Sequence, residues 1–165
     1  MHRRIIRGGD EAVEVIEGGA RFGLWYVHVR WSGTTVYQVR FSRIPISGPV
    51  PVALTQYLSG RIVDLSTLTC GSPPAGEHYA RIYEEVQRIP YGETVTYGEV
   101  AERSGTTARV VGQALSRNML PLIIPCHRVV ARDGIGGFTP DPAIKADLLA
   151  MEQRGKRQSR RRTED

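Results

Sequence analysis

Between Trp25 and Phe41 the chain alternates with a period of two. Trp25, Val27, Val29 and Trp31 alternate with Tyr26, His28 and Arg30; after Ser32-Gly33, Val36 leads into Tyr37, Val39 and Phe41, alternating with Gln38 and Arg40. Successive side chains of a strand point to opposite faces, so this pattern predicts a β-hairpin with one face buried. A hairpin is not stable alone in water, so the rest of the chain must supply more strands and a covering layer. Val13 to Glu17 predicts a third strand that stops at Gly18-Gly19, and Ile62 to Leu65 a further one. Residues 45–51 form a loop, and Pro51 suits the first position of a helix that ends at Gly60.

From Ser66 to Gly76 the composition shifts to Ser, Thr, Pro and Gly, which marks a connection between two lobes. Beyond it the spacing turns helical. Ile82, Val86 and Ile89 recur on one side of a helix from His78, which Pro90-Tyr91-Gly92 stops. Thr96 and Glu99 stand three residues apart in a capping-box pattern that starts a second helix, Gly105 ends it, and Thr106 is placed to cap a third. That third helix carries Val110, Val111, Ala114 and Leu115 on one side and Arg109, Gly112, Gln113 and Ser116 on the other. Two helices with a glycine turn between them have helix-turn-helix spacing. The expected class is therefore a two-lobe α/β protein: an α/β lobe over residues 1–72, a mainly helical lobe over 73–155, and a basic, disordered tail over 156–165.

Composition removes several functional classes. No apolar run approaches the ~20 residues needed to cross a bilayer, and the first ten residues hold no apolar segment of a secretory signal. A cytoplasmic monomer is expected, with Cys70 and Cys126 as free thiols. The formal net charge is +5, but residues 153–165 alone carry six basic residues against Glu164 and Asp165, so the body is close to neutral. A zinc site built from Cys70, His78, Cys126 and His127 matches no standard ligand spacing, and neither a metal nor a cofactor is expected. The Gly134-Ile135-Gly136-Gly137 stretch lacks the lysine of a phosphate loop and is expected to be a flexible loop.

The chemistry concentrates in the apolar run from Leu122 to Val130, which holds Cys126 and His127 side by side where packing asks for neither. A free thiol with a pKa of ~8.5 is only a few per cent thiolate at neutral pH, so a nucleophilic Cys126 needs a base. In extended backbone the two side chains point apart, so His127 would act through a bridging water unless the chain kinks after Pro125. Asp141-Pro142 starts a helix that runs to about Gly155, and Leu148 and Leu149 bring Glu152 close to its apolar face. A carboxylate there needs a partner, and His127 would provide one. Taken singly, each residue also fits a plain role, as a packed thiol, a core imidazole and a solvated carboxylate. Arg109 in a first helical turn opposes the helix dipole, which an anionic or stacked partner would offset and a solvated surface would tolerate.

At Pro125-Cys126-His127-Arg128-Val129 the chain resembles the O6-alkylguanine-DNA alkyltransferases, also called methylated-DNA-protein-cysteine methyltransferases. The resemblance extends over residues 90–101, Arg109 to Asn118 and Lys145 to Glu152, about the second half of the chain. The first half resembles the family only in outline. What it implies for the fold is a small RNase H-like lobe followed by a lobe with a winged-helix-like helix-turn-helix. What it implies for function is DNA repair without a cofactor, by one irreversible transfer of the alkyl group from O6-alkylguanine in duplex DNA to Cys126 after base flipping, in a nucleoid-associated protein.

In that reading His127 and Glu152 activate Cys126, Asn118 braces the turn between helix and site, and Tyr97 turns the lesion's phosphate and donates a hydrogen bond to guanine. Arg109 fills the emptied stack, and Gly112, Gln113 and Ser116 face the minor groove. Backbone at Cys126 and Val129 reads the guanine edge, and Phe138 and Thr139 form the far wall. The chain departs from the family where Phe138-Thr139-Pro140-Asp141 replaces a tyrosine-serine-glycine-glycine loop, and where Met119 follows Asn118 in place of proline. Two other classes compete: a lesion-sensing DNA-binding protein that transfers nothing, and a Cys-His hydrolase, for which no oxyanion hole is specified.

Overall fold

A computed structural model describes residues 3–8, 11–71 and 77–165. Its first half is a five-stranded sheet in the order β1 (Arg3–Gly8), β2 (Glu11–Phe22), β3 (Trp25–Ser32), β4 (Thr35–Ser42) and β5 (Thr69–Cys70). The first four strands are antiparallel neighbours, and β5 runs parallel to β4. The expected hairpin is β3 and β4, closed at Gly33-Thr34 with Gly33 at φ 59°. Its register slips between Arg30 and Trp31, where Tyr37 is the extra residue of a bulge. That slip lets Val36 and Val39, an odd number of residues apart, both face the core.

Two expectations in this half are corrected. Gly18-Gly19 does not end β2, which continues to Phe22. The loop after β4 crosses the strand there: Gly19 N–H donates to Gly48 O at 3.3 Å, and a Cβ on Gly18 would strike the carbonyl of Pro49. The glycines allow one backbone to lie on another. Residues 62–65 form no strand either, because the Asp64 side chain accepts from Ser66 N–H at 2.9 Å and turns Leu65–Thr67 into a 3-10 helix. Pro51 lies just outside helix α1 (Val52–Leu58), which turns Leu54 and Tyr57 into the core.

In the second half, α2 (Ala80–Gln87) buries Ile82 and Val86 as its spacing predicts. Helix α3 (Tyr97–Ser104) opens with the expected capping box, Glu99 N–H on Thr96 Oγ1 and Thr96 N–H on Glu99 Oε2. It closes on Gly105 at φ 69°, with Thr106 N–H donating back to Ala101 O. Thr106 is therefore spent ending α3, and Thr107 caps α4 (Ala108–Ser116), a correction of one residue. Short strands β6 (Val95–Thr96) and β7 (Val129–Val130) pair in parallel.

Helix α5 (Pro142–Glu164) is capped by Asp141 as expected, but it does not end near Gly155. Gly155 packs against the Tyr91 ring, where a Cβ would stand 2.8 Å from its hydroxyl. The Arg, Lys and Gln residues beyond it are strong helix formers, so the basic tail expected to be disordered is helical. The boundary expected at residues 72–73 lies outside the described residues. The sheet, α1 and all the later helices share one buried cluster, from Val27 and Leu54 to Ile144 and Leu148. Among the described residues no helix is long and apolar enough to cross a membrane.

Candidate active site

The run from Leu120 to Ile124 is not extended. Leu122 sits at φ 76°, and Leu120, Leu122, Ile123 and Ile124 are all buried, which a strand with two distinct faces would not achieve in this position. Asn118 holds the loop in shape: its Nδ2 donates to Ile124 O and its Oδ1 accepts from Leu120 N–H, each at 2.9 Å. One side chain thus meets backbone groups that a sheet would otherwise pair. The chain then folds into a 3-10 turn over Cys126–Arg128, which sends consecutive side chains about a third of a turn apart.

Cys126 points into a cavity of about 240 Å³. Tyr97, Asn118, Gly112, Ser116, Phe138 and Thr139 line it with Cys126, so residues expected from separate segments meet here. Phe138 is fixed edge-on against Phe41 of β4, with ring centroids 5.7 Å apart. The Thr139-Pro140 peptide on this wall is cis. Arg109 and Gln113 stay exposed on α4. Val129 does not line the cavity either; it is fully buried in β7 and its carbonyl accepts from Lys145 Nζ at 2.6 Å.

Behind the cavity His127 and Glu152 are both 0 % exposed, and His127 Nε2 lies 2.6 Å from Glu152 Oε2. The carboxylate gathers four further donor contacts. Oε2 accepts from Tyr57 Oη at 2.5 Å and Arg128 Nη2 at 3.2 Å, and Oε1 from Arg128 Nε and Gly92 N–H, each at 2.9 Å. The third Arg128 nitrogen donates to Ile89 O at 2.8 Å. Burial alone would push the Glu152 carboxyl up, but the hydrogen bonds and charge of His127 and Arg128 outweigh it and bring the pKa down to about 2. Burial holds the His127 pKa below its ordinary value against the pull of Glu152. At neutral pH Arg128 therefore balances the carboxylate and His127 is neutral, with its proton on Nε2.

This arrangement fixes the tautomer. His127 Nδ1 is left with a lone pair, is buried, and has no hydrogen-bond partner among the described residues. It makes no direct bond to Cys126. Burial raises the thiol pKa, and the hydrogen bond from Asn118, the nearby Lys145 charge and adjacent backbone N–H groups lower it only in part. Cys126 thus rests as a thiol beside a positive, donor-rich surface, and needs a base at the moment of attack.

Tyr57, Arg128 and Lys145 were absent from the residues expected at the site. Arg128 carried a usable signal: a guanidinium inside an apolar run must find an acid, the argument that paired Glu152 with His127. Lys145 stands at helical spacing of seven from Glu152 and so shares its buried face. Tyr57 gave no signal, since it reaches Glu152 across 95 residues of sequence.

The family model described as the DNA-binding domain of 6-O-methylguanine DNA methyltransferase matches residues 77–154. Curated relatives carry the name methylated-DNA–protein-cysteine methyltransferase. That of Methanocaldococcus vulcanius is 51% identical over 77 residues, 47% of this chain and 48% of the relative. The chain spans about half the length of the first of these relatives. That of Methanopyrus kandleri is 43% identical over 99 residues, 60% of this chain and 75% of the relative. The fold of Mycobacterium tuberculosis OGT, solved in complex with DNA, superposes with a TM-score of 0.70 at 25% identity, over 84% of this chain and 93% of that one. The mixed α/β architecture is thus shared beyond the matched domain, into the half that holds the sheet and α1. With three quarters of the Methanopyrus kandleri protein covered at this identity, the chain belongs to the methylated-DNA–protein-cysteine methyltransferase family.

Proposed function

We propose that this protein repairs duplex DNA by moving the alkyl group of O6-alkylguanine, mainly O6-methylguanine, onto Cys126. The observation that carries the reading is the pairing of a cavity-facing thiol with a buried imidazole whose Nδ1 lone pair is free and whose Nε2 is anchored on Glu152. The alkyl carbon cannot be reached inside a duplex, so the base must leave the stack, at a cost of a few kcal/mol. Helix α4, with Gly112 and Ser116 on its outer face, enters the minor groove, and phosphate contacts rather than base contacts position it. The sheet half would be the RNase H-like lobe and α3–α4 the helix-turn-helix of a winged-helix-like lobe, divided near residues 72–73.

In the reaction the Sγ–carbon bond forms as the carbon–O6 bond breaks, and its electron pair goes to the guanine. The thiol proton passes through a bridging water to His127 Nδ1, where Glu152 stabilises the resulting imidazolium. Tyr97 donates a hydrogen bond to the departing guanine, which takes one proton from solvent while the imidazolium gives its own back to solvent, so that in sum the thiol proton ends on the guanine. Lys145 stabilises developing thiolate through its charge. The product is a thioether, which water does not cleave, so each molecule acts once.

The test is the intact mass and peptide map of the protein after incubation with a duplex containing O6-methylguanine. One methyl per molecule, located on Cys126, is the expected result. Binding with no mass change would point to a lesion sensor and overturn the proposal, and repeated release of product would point to a hydrolase.

Arg109 is proposed to fill the space left by the flipped base. Arg109→Ala should slow transfer from duplex lesions about tenfold, a share of the unstacking cost, while leaving reaction with free O6-methylguanine base unchanged. Single-turnover rates on the two substrates decide it, and equal losses would remove that role.

A further inference from the structure

Helix α5 presents two different surfaces. Glu152 faces inward to the site, and Arg154, two residues on and about 200° around the helix, faces outward. Around that outer side, cations from three separate elements converge: Arg21 at the end of β2, Arg61 after α1, and Arg154, Arg157, Arg161 and Arg162 on α5. All six are exposed. They border adjoining grooves, the two larger of about 370 and 540 Å³, and no carboxylate lines any of them. None of their lining residues lines the Cys126 cavity or belongs to α4.

Basic residues in a last helical turn are favoured by the helix dipole, which accounts for Arg161 and Arg162. It does not account for Arg21 and Arg61, which sit on other elements and meet the same grooves. Like charges brought together without acids disfavour the folded state unless a polyanion joins them. The length of the surface, along a little over two turns of α5 and onto two other elements, suits a run of phosphates rather than one compact anion.

We propose that this cationic groove is a second DNA-binding surface, gripping the phosphodiester backbone of duplex DNA outside the stretch held by α4. It rests on the repair reading only for the choice of DNA as the polyanion. The groove takes either the flank of the same duplex or a second duplex, and both present the same phosphate ladder. A protein that acts once gains from a hold on undamaged DNA, because its search along the duplex costs no turnover.

The test uses the full chain with undamaged duplexes, so that it does not depend on alkyl transfer. The variant Arg61→Gln/Arg154→Gln/Arg157→Gln/Arg162→Gln removes four cations from the groove and none from the site. Log–log salt dependence of affinity should lose about 3 to 4 in slope, and affinity at low salt should fall at least tenfold. If the groove holds the flank, wild-type preference for a long duplex over one just covering α4 disappears in the variant. If it holds a second duplex, wild-type protein bridges two labelled duplexes and the variant does not. An unchanged salt slope overturns the proposal, as does a slope change with neither length preference nor bridging in wild type. Tight binding of wild type to vesicles of anionic lipid with no groove-dependent DNA affinity overturns it as well.

Discussion

Glu152→Ala is expected to destabilise the fold by about 3–5 kcal/mol, because it strands the buried Arg128 cation and leaves Tyr57, His127 and Gly92 N–H without their acceptor. For a chain of this size that is a fall in melting temperature on the order of 10 °C. Calorimetry or dye-monitored melting checks it. The same change removes the counter-charge to the imidazolium, so transfer measured at a temperature where the variant is folded should slow by about a hundredfold or more. Tyr57→Phe, which removes one donor and leaves the charge pairing intact, provides the comparison that separates the two effects.

The network also sets how the protein responds to acid. The Glu152 carboxyl is held at about 2 against an ordinary 4.5. A group depressed in the folded state contributes stability that is complete above its unfolded pKa and is lost as pH falls toward its folded one. About 3 kcal/mol should therefore disappear between roughly pH 4.5 and pH 2. His127 acts with the same sign: its folded pKa lies below 6.5, so the unfolded chain takes up a proton first as pH falls below that value. Urea midpoints measured against pH should decline from about pH 6.5 downward, and the steep acid limb should be absent in Glu152→Gln.

The second large effect is at the thiol. Cys126→Ala should abolish the methyl adduct while leaving affinity for an O6-methylguanine duplex within about twofold of wild type, since Cys126 offers the cavity a small, half-buried surface and no charge. Intact mass and a binding isotherm on the same preparation decide it. A methyl adduct that persists on another residue would remove Cys126 as the acceptor.

These effects depend on pairings of very different sequence separation, and that separation governed what could be read in advance. The β3–β4 hairpin, the Thr96–Glu99 capping box and the Asp141 cap are local patterns, and the structure contains them. Grouping Cys126, Asn118, Tyr97, Phe138 and Thr139 needed the family resemblance, because no spacing brings four segments to one cavity. Gly18-Gly19 misled because a glycine pair reads the same whether it ends a strand or lets another segment cross it. The apolar run before Cys126 left its backbone open for a related reason: burial on all sides fits a strand or a loop alike, and here Asn118 supplies the hydrogen bonds a sheet would give. Tyr57 depends on a tertiary contact that no window of sequence displays, and so does Gly155, which reads as a helix stop and instead packs on Tyr91 inside α5.

Among the contacts that join the first half to the reactive half are Tyr57 of α1 on Glu152, Phe41 of β4 against Phe138, and Val39 N–H of β4 on Met119 O at 2.9 Å. Each lands on a different part of the Cys126 site, namely its carboxylate anchor, its far wall and the loop that Asn118 shapes. The first half is thus a jig: it holds these pieces in alignment from outside, and none of its residues lines the Cys126 cavity. Substitutions elsewhere in the first half should therefore leave the site intact as long as these points of contact stay in register.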